Sequence, residues 1–228
     1  MIIIPQSPRM NHIMIQIAGV SSFEDSARMI SLGVDALGYT LRLPSGIHDG
    51  LTEEKARALI AQLPPFVPAV GITYITDAGE AIAFAQYMGI HTMQLHARVE
   101  EGMMRELKHA LPYLKVIKSV NVVNEASIDE ALEHAQEADA LILDTYDPVT
   151  HRHGATGKTH DWAISAEIVR RCAKPVILAG GLTPDNVAEA ISRVRPWGVD
   201  VHTGVEHPDG TKDWDKVRAF VQRVRQCS

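Results

Sequence analysis

Short apolar runs alternate along this chain with longer segments in which apolar residues recur at helical spacing. The short runs predict eight β-strands, at residues 13–18, 36–41, 66–72, 92–96, 115–120, 140–144, 175–179 and 198–201. Helical periodicity lies between them, at residues 21–33, 51–64, 76–89, 124–138, 183–194 and 211–224. Thr52 stands where a helix N-cap is expected, and Gly33 marks the end of the first helix.

Strict alternation of strands and helices over a whole chain predicts a parallel sheet that is covered by helices. Such a sheet is either an open, doubly wound sheet or a closed barrel. The G-x-G-x-x-G turn typical of the open form is absent after the first strand, where the sequence is AGVSS. Eight units therefore favour a single (β/α)8 TIM barrel of the α/β class. We assign residues 12–228 to this barrel and residues 1–11 to a short N-terminal extension.

Composition and charge limit the classes of partner that this chain is expected to bind. The 228 residues are 46% hydrophobic, which is enough for a substantial core, and the formal net charge is −6. Without a basic run, nucleic acid is not expected as a partner, and no stretch approaches the roughly 20 apolar residues of a membrane helix. The two cysteines, Cys172 and Cys227, lack metal or redox spacing, so a reducing, cytoplasmic location is expected. The oligomeric state stays open between monomer and homodimer.

Three glycine-rich loops follow the sixth, seventh and eighth predicted strands, with the sequences HGATGKTHDW, AGGLTPDNV and HTGVEHPDGTKDW. Active sites of such barrels lie at the C-terminal ends of the strands, and phosphate is often bound by the last loops and a short extra helix. Glycine lets backbone N–H groups approach an anion closely. The alternative is that these glycines serve tight turns only. Because three loops share one rim, we predict a phosphate site there, with the extra helix beginning at Gly204.

The same segments resemble a known family. The stretches LILD, GATGKTHDW, ILAGGLTPDNV, GVDVHTGVE and GTKDWDKV, together with MQLHA and VIKSV, follow in order the motifs of the phosphoribosylanthranilate isomerase family of the tryptophan pathway. The resemblance covers essentially the whole chain after residue 12. It implies a (β/α)8 barrel that opens the ribose ring of a phosphorylated aminosugar and rearranges it to a ketose, an Amadori-type isomerisation without a cofactor or metal.

The resemblance also implies roles for particular residues. Asp144, at the end of the sixth strand, falls on the general acid of the family. The alternative for Asp144 is a capping or ion-paired aspartate at a loop entrance. The phosphate-binding positions fall on Gly154, Thr156, Gly157, Gly180, Gly181, Thr203 and Gly204. Ala155 replaces one glycine of the family motif, and His202 with Thr203 replaces two serines.

Two positions depart from the family, which makes this chain a divergent member. The family has a cysteine as general base at the end of the first strand, and Ala18 stands there in this chain. A methyl group cannot accept a proton, and general bases typically contribute about 10²–10⁴-fold. His48 takes the place of an arginine that faces the anthranilate carboxylate in the family. Arg42 is the nearest possible substitute in sequence.

Further side chains are candidates with two interpretations each. His96, at the end of the fourth strand, is either a hydrogen-bonded rim residue or a replacement acid–base group. His48 lies in the altered loop, where new chemistry is expected. Lys118, at the end of the fifth strand, is either an electrostatic or structural lysine or a Schiff-base nucleophile. His151, His153 and His160 could bind Zn²⁺, although a polar loop is the simpler interpretation. We therefore predict no metal.

Three functions stay open at this level. The first is an isomerase of the phosphoribosylanthranilate isomerase type, with a small phosphorylated sugar as substrate. The second is a different phosphosugar isomerase or an aldolase that uses Lys118. The third is a barrel that binds a phosphorylated metabolite and has lost catalysis.

Overall fold

The computed structural model describes residues 12–43, 51–147, 152–153 and 159–227. Eight parallel strands close into a barrel in the order β1-β10-β9-β6-β5-β4-β3-β2. Their bounds are Met14–Ala18 (β1), Ala36–Thr40 (β2), Ala69–Thr73 (β3), Thr92–Leu95 (β4), Lys115–Asn121 (β5), Ala140–Asp144 (β6), Val176–Leu178 (β9) and Gly198–Val201 (β10). The predicted (β/α)8 barrel is confirmed. A short antiparallel pair that the sequence did not predict, Tyr146–Asp147 (β7) with Arg152–His153 (β8), follows β6.

Helices cover the outside of the barrel. In the described residues they are Phe23–Ser31 (α1), Glu53–Ile60 (α2), Ala78–Met88 (α3), Met103–Ala110 (α4), Ala126–His134 (α5), Trp162–Arg171 (α6), Val187–Val194 (α7) and Trp214–Gln226 (α8), with one short 3₁₀ helix at Thr203–Val205. Capping follows the sequence: Ser22, Thr52 and Asp77 each accept a hydrogen bond from a backbone N–H of the first turn.

Along each strand, side chains point alternately into the barrel and outward toward the helices, so the protein has two apolar layers. One small cluster fills the inside of the barrel: Ala18, Val70, Ile72, Ile117, Ile142, Ile177 and Ala179. The residues between them point outward into a much larger cluster that the helices cover, including Ile17, Leu95, Val116, Leu141 and Leu143. This alternation decides which side chains at the strand ends can reach the barrel mouth.

The third strand starts later than its apolar residues suggest. Prediction placed its beginning at residue 66, whereas β3 begins at Ala69, and Phe66 is 97% exposed. Proline at 64, 65 and 68 explains the difference, because proline has no N–H to donate to a sheet. The chain instead makes a turn in which the N–H of Val67 donates to the carbonyl of Pro64 at 3.0 Å.

The predicted extension, residues 1–11, lies outside the described residues, so its assignment stays a prediction. The described chain enters the bottom of the barrel at His12 and Ile13. There Arg225 of α8 donates to the carbonyls of Ile13 and Gly33 and pairs with Asp35 at 2.7 Å. None of the helices in the described part of the chain is long and apolar enough to cross a membrane.

Candidate active site

A cavity of about 350 Å³ opens at the C-terminal ends of the barrel strands. Its lining includes eight residues that the sequence singled out: Ala18, His96, Asp144, Gly180, Gly181, His202, Thr203 and Gly204. The sequence had placed these positions on five different strands or the loops after them. Closure of the barrel brings them together, as expected for a site at this face.

Asp144 is the last residue of β6 and is buried, with 5% of its surface exposed. The pKa of its carboxyl is raised to about 7, mainly by burial and also by the negative charge of Asp200. A 2.7 Å hydrogen bond from the N–H of Thr145 and the charge of His202 act in the opposite direction. The side chain can therefore hold a proton near neutral pH and release it. This is the property required of a general acid.

Four polar side chains contact one another inside the barrel, and three of them, Gln94, His96 and Asp200, also line the cavity. The amide nitrogen of Gln16 donates to Oδ1 of Asp200 and to Oε1 of Gln94, both at 3.0 Å. The amide nitrogen of Gln94 lies 2.7 Å from Nε2 of His96. An amide nitrogen can only donate, so Nε2 of His96 accepts, and the ring is neutral in this arrangement. We call Asp200, Gln16, Gln94 and His96 the polar relay.

Asp200 is the second buried carboxyl of the site. Burial raises its pKa to about 6, and the hydrogen bond from Gln16 and the charges of His202 and Lys212 limit the rise. Asp144 and Asp200 thus face the same cavity, and the charge of Asp200 favours the protonated form of Asp144. Two carboxyl groups that interact in this way titrate as a pair.

The rim at the end of β1 contains no proton acceptor of its own, since Ala18 presents a methyl group and Gly19 has no side chain. The imidazole of His202 lies across this point: a Cβ on Gly19 would be 2.2 Å from Nε2 of His202. Nε2 of His202 also lies 3.1 Å from Oε1 of Glu206. Lys212 joins the two elements, donating to the carbonyl of Ala18 at 2.7 Å and to Glu206 at 2.5 Å.

The glycines of the last two loops allow close backbone packing. Gly180 and Gly181 have φ of 77° and 64°, the left-handed conformation that favours glycine. A Cβ on Gly204 would lie 1.9 Å from the carbonyl oxygen of Leu182, so only glycine fits between the two loops. Gly204 lies in the 3₁₀ helix at Thr203–Val205, the short extra helix that the sequence predicted at this rim.

Two candidates do not face the cavity. Lys118 pairs in register with Leu95 and Leu141, both in the outer layer, and its ammonium donates to the carbonyls of Ser119 at 2.6 Å and Leu95 at 3.5 Å. Burial lowers its pKa to about 8, with Glu130 of α5 opposing the shift. The sequence predicted that Lys118 ends its strand. In the structure it lies within β5, at an alternate position whose side chain points outward toward α5. Of the two interpretations of Lys118, this position supports the structural lysine and not the Schiff-base nucleophile.

Arg42 likewise points away from the site. Its guanidinium binds Glu53 of α2 at 2.5 Å and Glu80 of α3 at 2.8 Å, and it lies over the ring of Phe84. Arg42 has φ of 52°, a conformation that is uncommon for residues other than glycine. The backbone turns at this residue, and the side chain points away from the cavity. Arg42 is therefore not available to replace the missing cavity arginine. Within the described chain, no arginine or lysine lines the cavity.

Several predicted residues lie outside the described part of the chain. These are His48, Gly154, Thr156, Gly157 and His151. Of the proposed zinc-binding histidines, His160 is described in full: its Nδ1 lies 3.0 Å from Oγ1 of Thr145 and its Nε2 lies 2.7 Å from Oγ of Ser165. Burial lowers the pKa of His160 to about 4, so the ring is a neutral link between β6 and α6.

Sequence reasoning missed Gln16, Gln94, Asp200, Glu206 and Lys212. The first three were visible as single polar residues in apolar strands, at the alternate positions that point into the barrel. A buried polar side chain needs hydrogen-bond partners, so three of them at one level of a barrel indicate a shared network. Glu206 and Lys212 gave no such signal, because both lie in a loop.

Comparison with known proteins identifies the family. The family described as "N-(5'phosphoribosyl)anthranilate (PRA) isomerase" matches residues 15–223. N-(5'-phosphoribosyl)anthranilate isomerase 2 from Methanosarcina mazei is 35% identical over 211 residues, which are 92% of this chain and 93% of the relative. The chain belongs to the phosphoribosylanthranilate isomerase family. The resemblance that the sequence motifs indicated is thereby confirmed.

Solved structures of the family agree with the barrel. Phosphoribosyl anthranilate isomerase from Thermotoga maritima is similar with a TM-score of 0.82 and 31% identity, covering 94% of this chain and all of that chain. A second family structure, with a TM-score of 0.79 and 29% identity over 94% of this chain and all of that one, is a complex with reduced 1-(o-carboxyphenylamino)-1-deoxyribulose 5-phosphate. The barrel fold is thus shared with an isomerase whose structure contains the reduced form of this phosphorylated compound.

Proposed function

We propose that this chain catalyses the Amadori-type isomerisation of N-(5'-phosphoribosyl)anthranilate to 1-(o-carboxyphenylamino)-1-deoxyribulose 5-phosphate. Family membership and the ligand of the related complex support this substrate. The observation on which the proposal depends most is Asp144, a buried carboxyl at the cavity whose pKa of about 7 keeps it substantially protonated near neutral pH.

Asp144 is suited to the first step. When the ribose ring opens, the C–O bond at the anomeric carbon breaks and the ring oxygen takes a proton. The lone pair of the aglycone nitrogen forms a C=N bond at the same time. A positioned acid lowers the barrier for this step, typically by 10²–10⁴ in rate. Asp144 supplies the proton, and Asp200 below it favours the protonated form.

The phosphate of the substrate is assigned to the rim between β9 and β10. Gly180 and Gly181 turn the backbone after β9, and Thr203 and Gly204 begin the short helix after β10. Backbone N–H groups in such turns bind anions without a lysine or arginine, in agreement with the absence of both from the described cavity lining. This placement puts the sugar between the phosphate rim and Asp144.

The alternatives have lost support. An aldolase would need an accessible amine, and Lys118 faces α5 rather than the cavity. A barrel that only binds its ligand has no need of a buried carboxyl with a raised pKa, which lowers stability at neutral pH. We infer a cytoplasmic location, because both Cys172 and Cys227 are free thiols.

The decisive assay follows the loss of substrate fluorescence when phosphoribosylanthranilate is added to the wild-type protein. Turnover is expected, and Asp144→Asn should reduce kcat by about 10²–10⁴-fold. A wild-type protein that gains thermal stability with the phosphosugar but gives no turnover would overturn the isomerase and favour the binding barrel.

A further inference from the structure

The end of β1 has no side chain that can accept a proton. The imidazole that covers this point belongs to His202, directly after the neighbouring strand β10. Gln16 pairs with Asp200 and Ile17 with Val201, so the next residues along the two strands are Ala18 and His202. Neighbouring strands are about 4.8 Å apart. Within that spacing, the methyl group at one position and the imidazole at the other occupy the same part of the rim.

We infer that His202 is the general base that removes the C2 proton of the opened sugar. This inference rests on the proposed isomerisation, which requires a base as well as the acid Asp144. The first observation in its favour is position. His202 lines the cavity together with Asp144, and its side chain is 22% exposed, so it is reachable by a ligand.

The second observation is the carboxylate partner. Nε2 of His202 lies 3.1 Å from Oε1 of Glu206, a carboxylate that can only accept, so Nε2 carries the hydrogen in this bond. The lone pair of the neutral ring is then on Nδ1. Because the Nε2–Cδ2 edge faces Gly19, Nδ1 lies on the side of the ring turned away from β1. Glu206 acts as a positioning residue that fixes the tautomer.

The third observation is that Glu206 is itself held in the ionised form. Burial opposes its ionisation, but the hydrogen bonds that it accepts from His202 and Lys212, together with the charge of Lys212, lower the pKa of the Glu206 carboxyl. Lys212, with 2% of its side chain exposed, also binds the carbonyl of Ala18. The histidine, its carboxylate and the end of β1 are thus joined by direct contacts.

The other nearby groups are less suited to this role. Nε2 of His96 accepts the hydrogen bond from Gln94, so the basic nitrogen of that ring is already engaged. Oδ1 of Asp200 already accepts the hydrogen bond from Gln16 at 3.0 Å inside the barrel. Neither group lies across the end of β1.

The step conserves atoms and electrons. After ring opening, the C2 proton moves to Nδ1 of His202, the C2–H electron pair forms a C1=C2 double bond, and the π electrons of the C=N bond return to nitrogen. The resulting enol then takes a proton at C1 from Nδ1 of His202 and gives its hydroxyl proton to the carboxylate of Asp144, which forms the ketose and returns both groups to their starting states. The net change is an isomerisation, so neither an oxidant nor a reductant is needed.

The test compares His202→Gln with the wild type in the fluorescence assay. The kcat should fall by about 10²–10⁴-fold while KM changes less than threefold, since the imidazole acts in the chemical step. His207→Gln is the matched control, because His207 lies on the same loop near the carboxylate of Asp213 at 3.6 Å and does not line the cavity. It should keep wild-type kcat.

A second variant separates catalysis from folding and from phosphate binding. Ala18→Cys introduced into His202→Ser places a thiol at the end of β1 and should raise kcat at least tenfold above His202→Ser alone. If His202 contacts only the phosphate, KM rises, inhibition by inorganic phosphate weakens and kcat is retained, which overturns the inference. If the wild type and His202→Gln are both fully active, the role of His202 is overturned and the proposed function stands. If the wild type is inactive, both the role of His202 and the proposed function are overturned.

Discussion

Gly180 packs directly against Asp144. A Cβ on Gly180 would lie 3.1 Å from Oδ1 of Asp144 and 2.2 Å from Oγ1 of Thr145. The loop after β9 therefore approaches the candidate acid as closely as a backbone can, and its glycine leaves the Asp144 carboxyl in place. The loop that we propose to bind the phosphate and the candidate acid are therefore in direct contact.

Gly180→Ala should impair catalysis through this contact. The added methyl group displaces Thr145 and Asp144, so kcat is expected to fall at least tenfold, since small misplacements of reacting groups are costly. Gly89→Ala is the matched control. Gly89 has φ of 66°, close to the 77° of Gly180, but nothing lies within 4 Å of its Cβ position. Because alanine is strained at both positive φ values, both variants should lose a similar amount of folding stability. Only Gly180→Ala should lose activity, and equal activities of the two variants in the fluorescence assay would contradict this.

Asp144→Asn should stabilise the protein at alkaline pH although it lowers kcat. The folded pKa of about 7 exceeds the ordinary value of 3.8, so the folded state binds the proton more tightly than the unfolded chain. The stability due to this group is present in acid and is lost as pH rises through 7. The variant should therefore melt higher than wild type at pH 8, by at least about 3 °C, since 1 kcal/mol corresponds to about 2–4 °C in a protein of this size.

The same comparison at pH 5 serves as a control. The wild-type carboxyl is then mostly protonated, so the increase in melting temperature of Asp144→Asn over the wild type should be smaller. Asp215→Asn, at a side chain that is 95% exposed, controls for the loss of one negative charge. A gain of equal size at both pH values would show that burial of the ionised carboxyl is not its cause.

Lys118→Met should keep the activity and change only stability. The ammonium lies under α5, where burial lowers its pKa to about 8, and replacement of a buried charge by an apolar side chain of similar size is often neutral or stabilising. A wild-type kcat within threefold is expected. Borohydride added with substrate should modify neither protein, and trapping at Lys118 would revive the aldolase.

The pH dependence of that variant has a defined sign. Between pH 8 and about 10.5 the unfolded lysine binds more protons than the folded one, so wild-type stability gains from this group as pH rises. The advantage of Lys118→Met in melting temperature should therefore be largest near pH 7 and decrease toward pH 10. Lys115→Met, on the same strand with 64% of its side chain exposed, should show neither effect.

Periodicity was enough to predict the barrel, because a strand buried on both faces is a short apolar run, and helices such as α1, α2 and α3 begin at recognisable capping residues. The ends of β1, β6 and β10 were therefore placed within one residue. The same alternation could have excluded Lys118, since its neighbours Ile117 and Ser119 occupy the inward positions. Arg42 and His202 are different, as loop geometry decides their direction, and neither their type nor their spacing determines whether they reach the cavity.

The contact between His202 and Gly19 shows this limit most clearly. The two residues are far apart in sequence, and their proximity depends on the pairing of the first strand with the last, which only closure of the barrel produces. The sequence revealed the loss at Ala18 but not the group beside it. The Lys212 contacts that hold this corner together also span two chain ends and have no local pattern.

The polar relay gives the last prediction. Gln16→Met removes the donor to Asp200, so the pKa of that carboxyl should rise further above its present value of about 6, and stability should fall more steeply between pH 5 and pH 8 than in the wild type. Gln94→Met is the matched control: it also removes buried hydrogen bonds, each worth about 1–3 kcal/mol when a partner is left unsatisfied, but leaves the bond from Gln16 to Asp200 intact. Both variants should melt below wild type, and only Gln16→Met should steepen the pH dependence. An equal change in Gln94→Met would mean that the packing of the barrel interior, and not the bond to Asp200, sets the ionisation of that carboxyl.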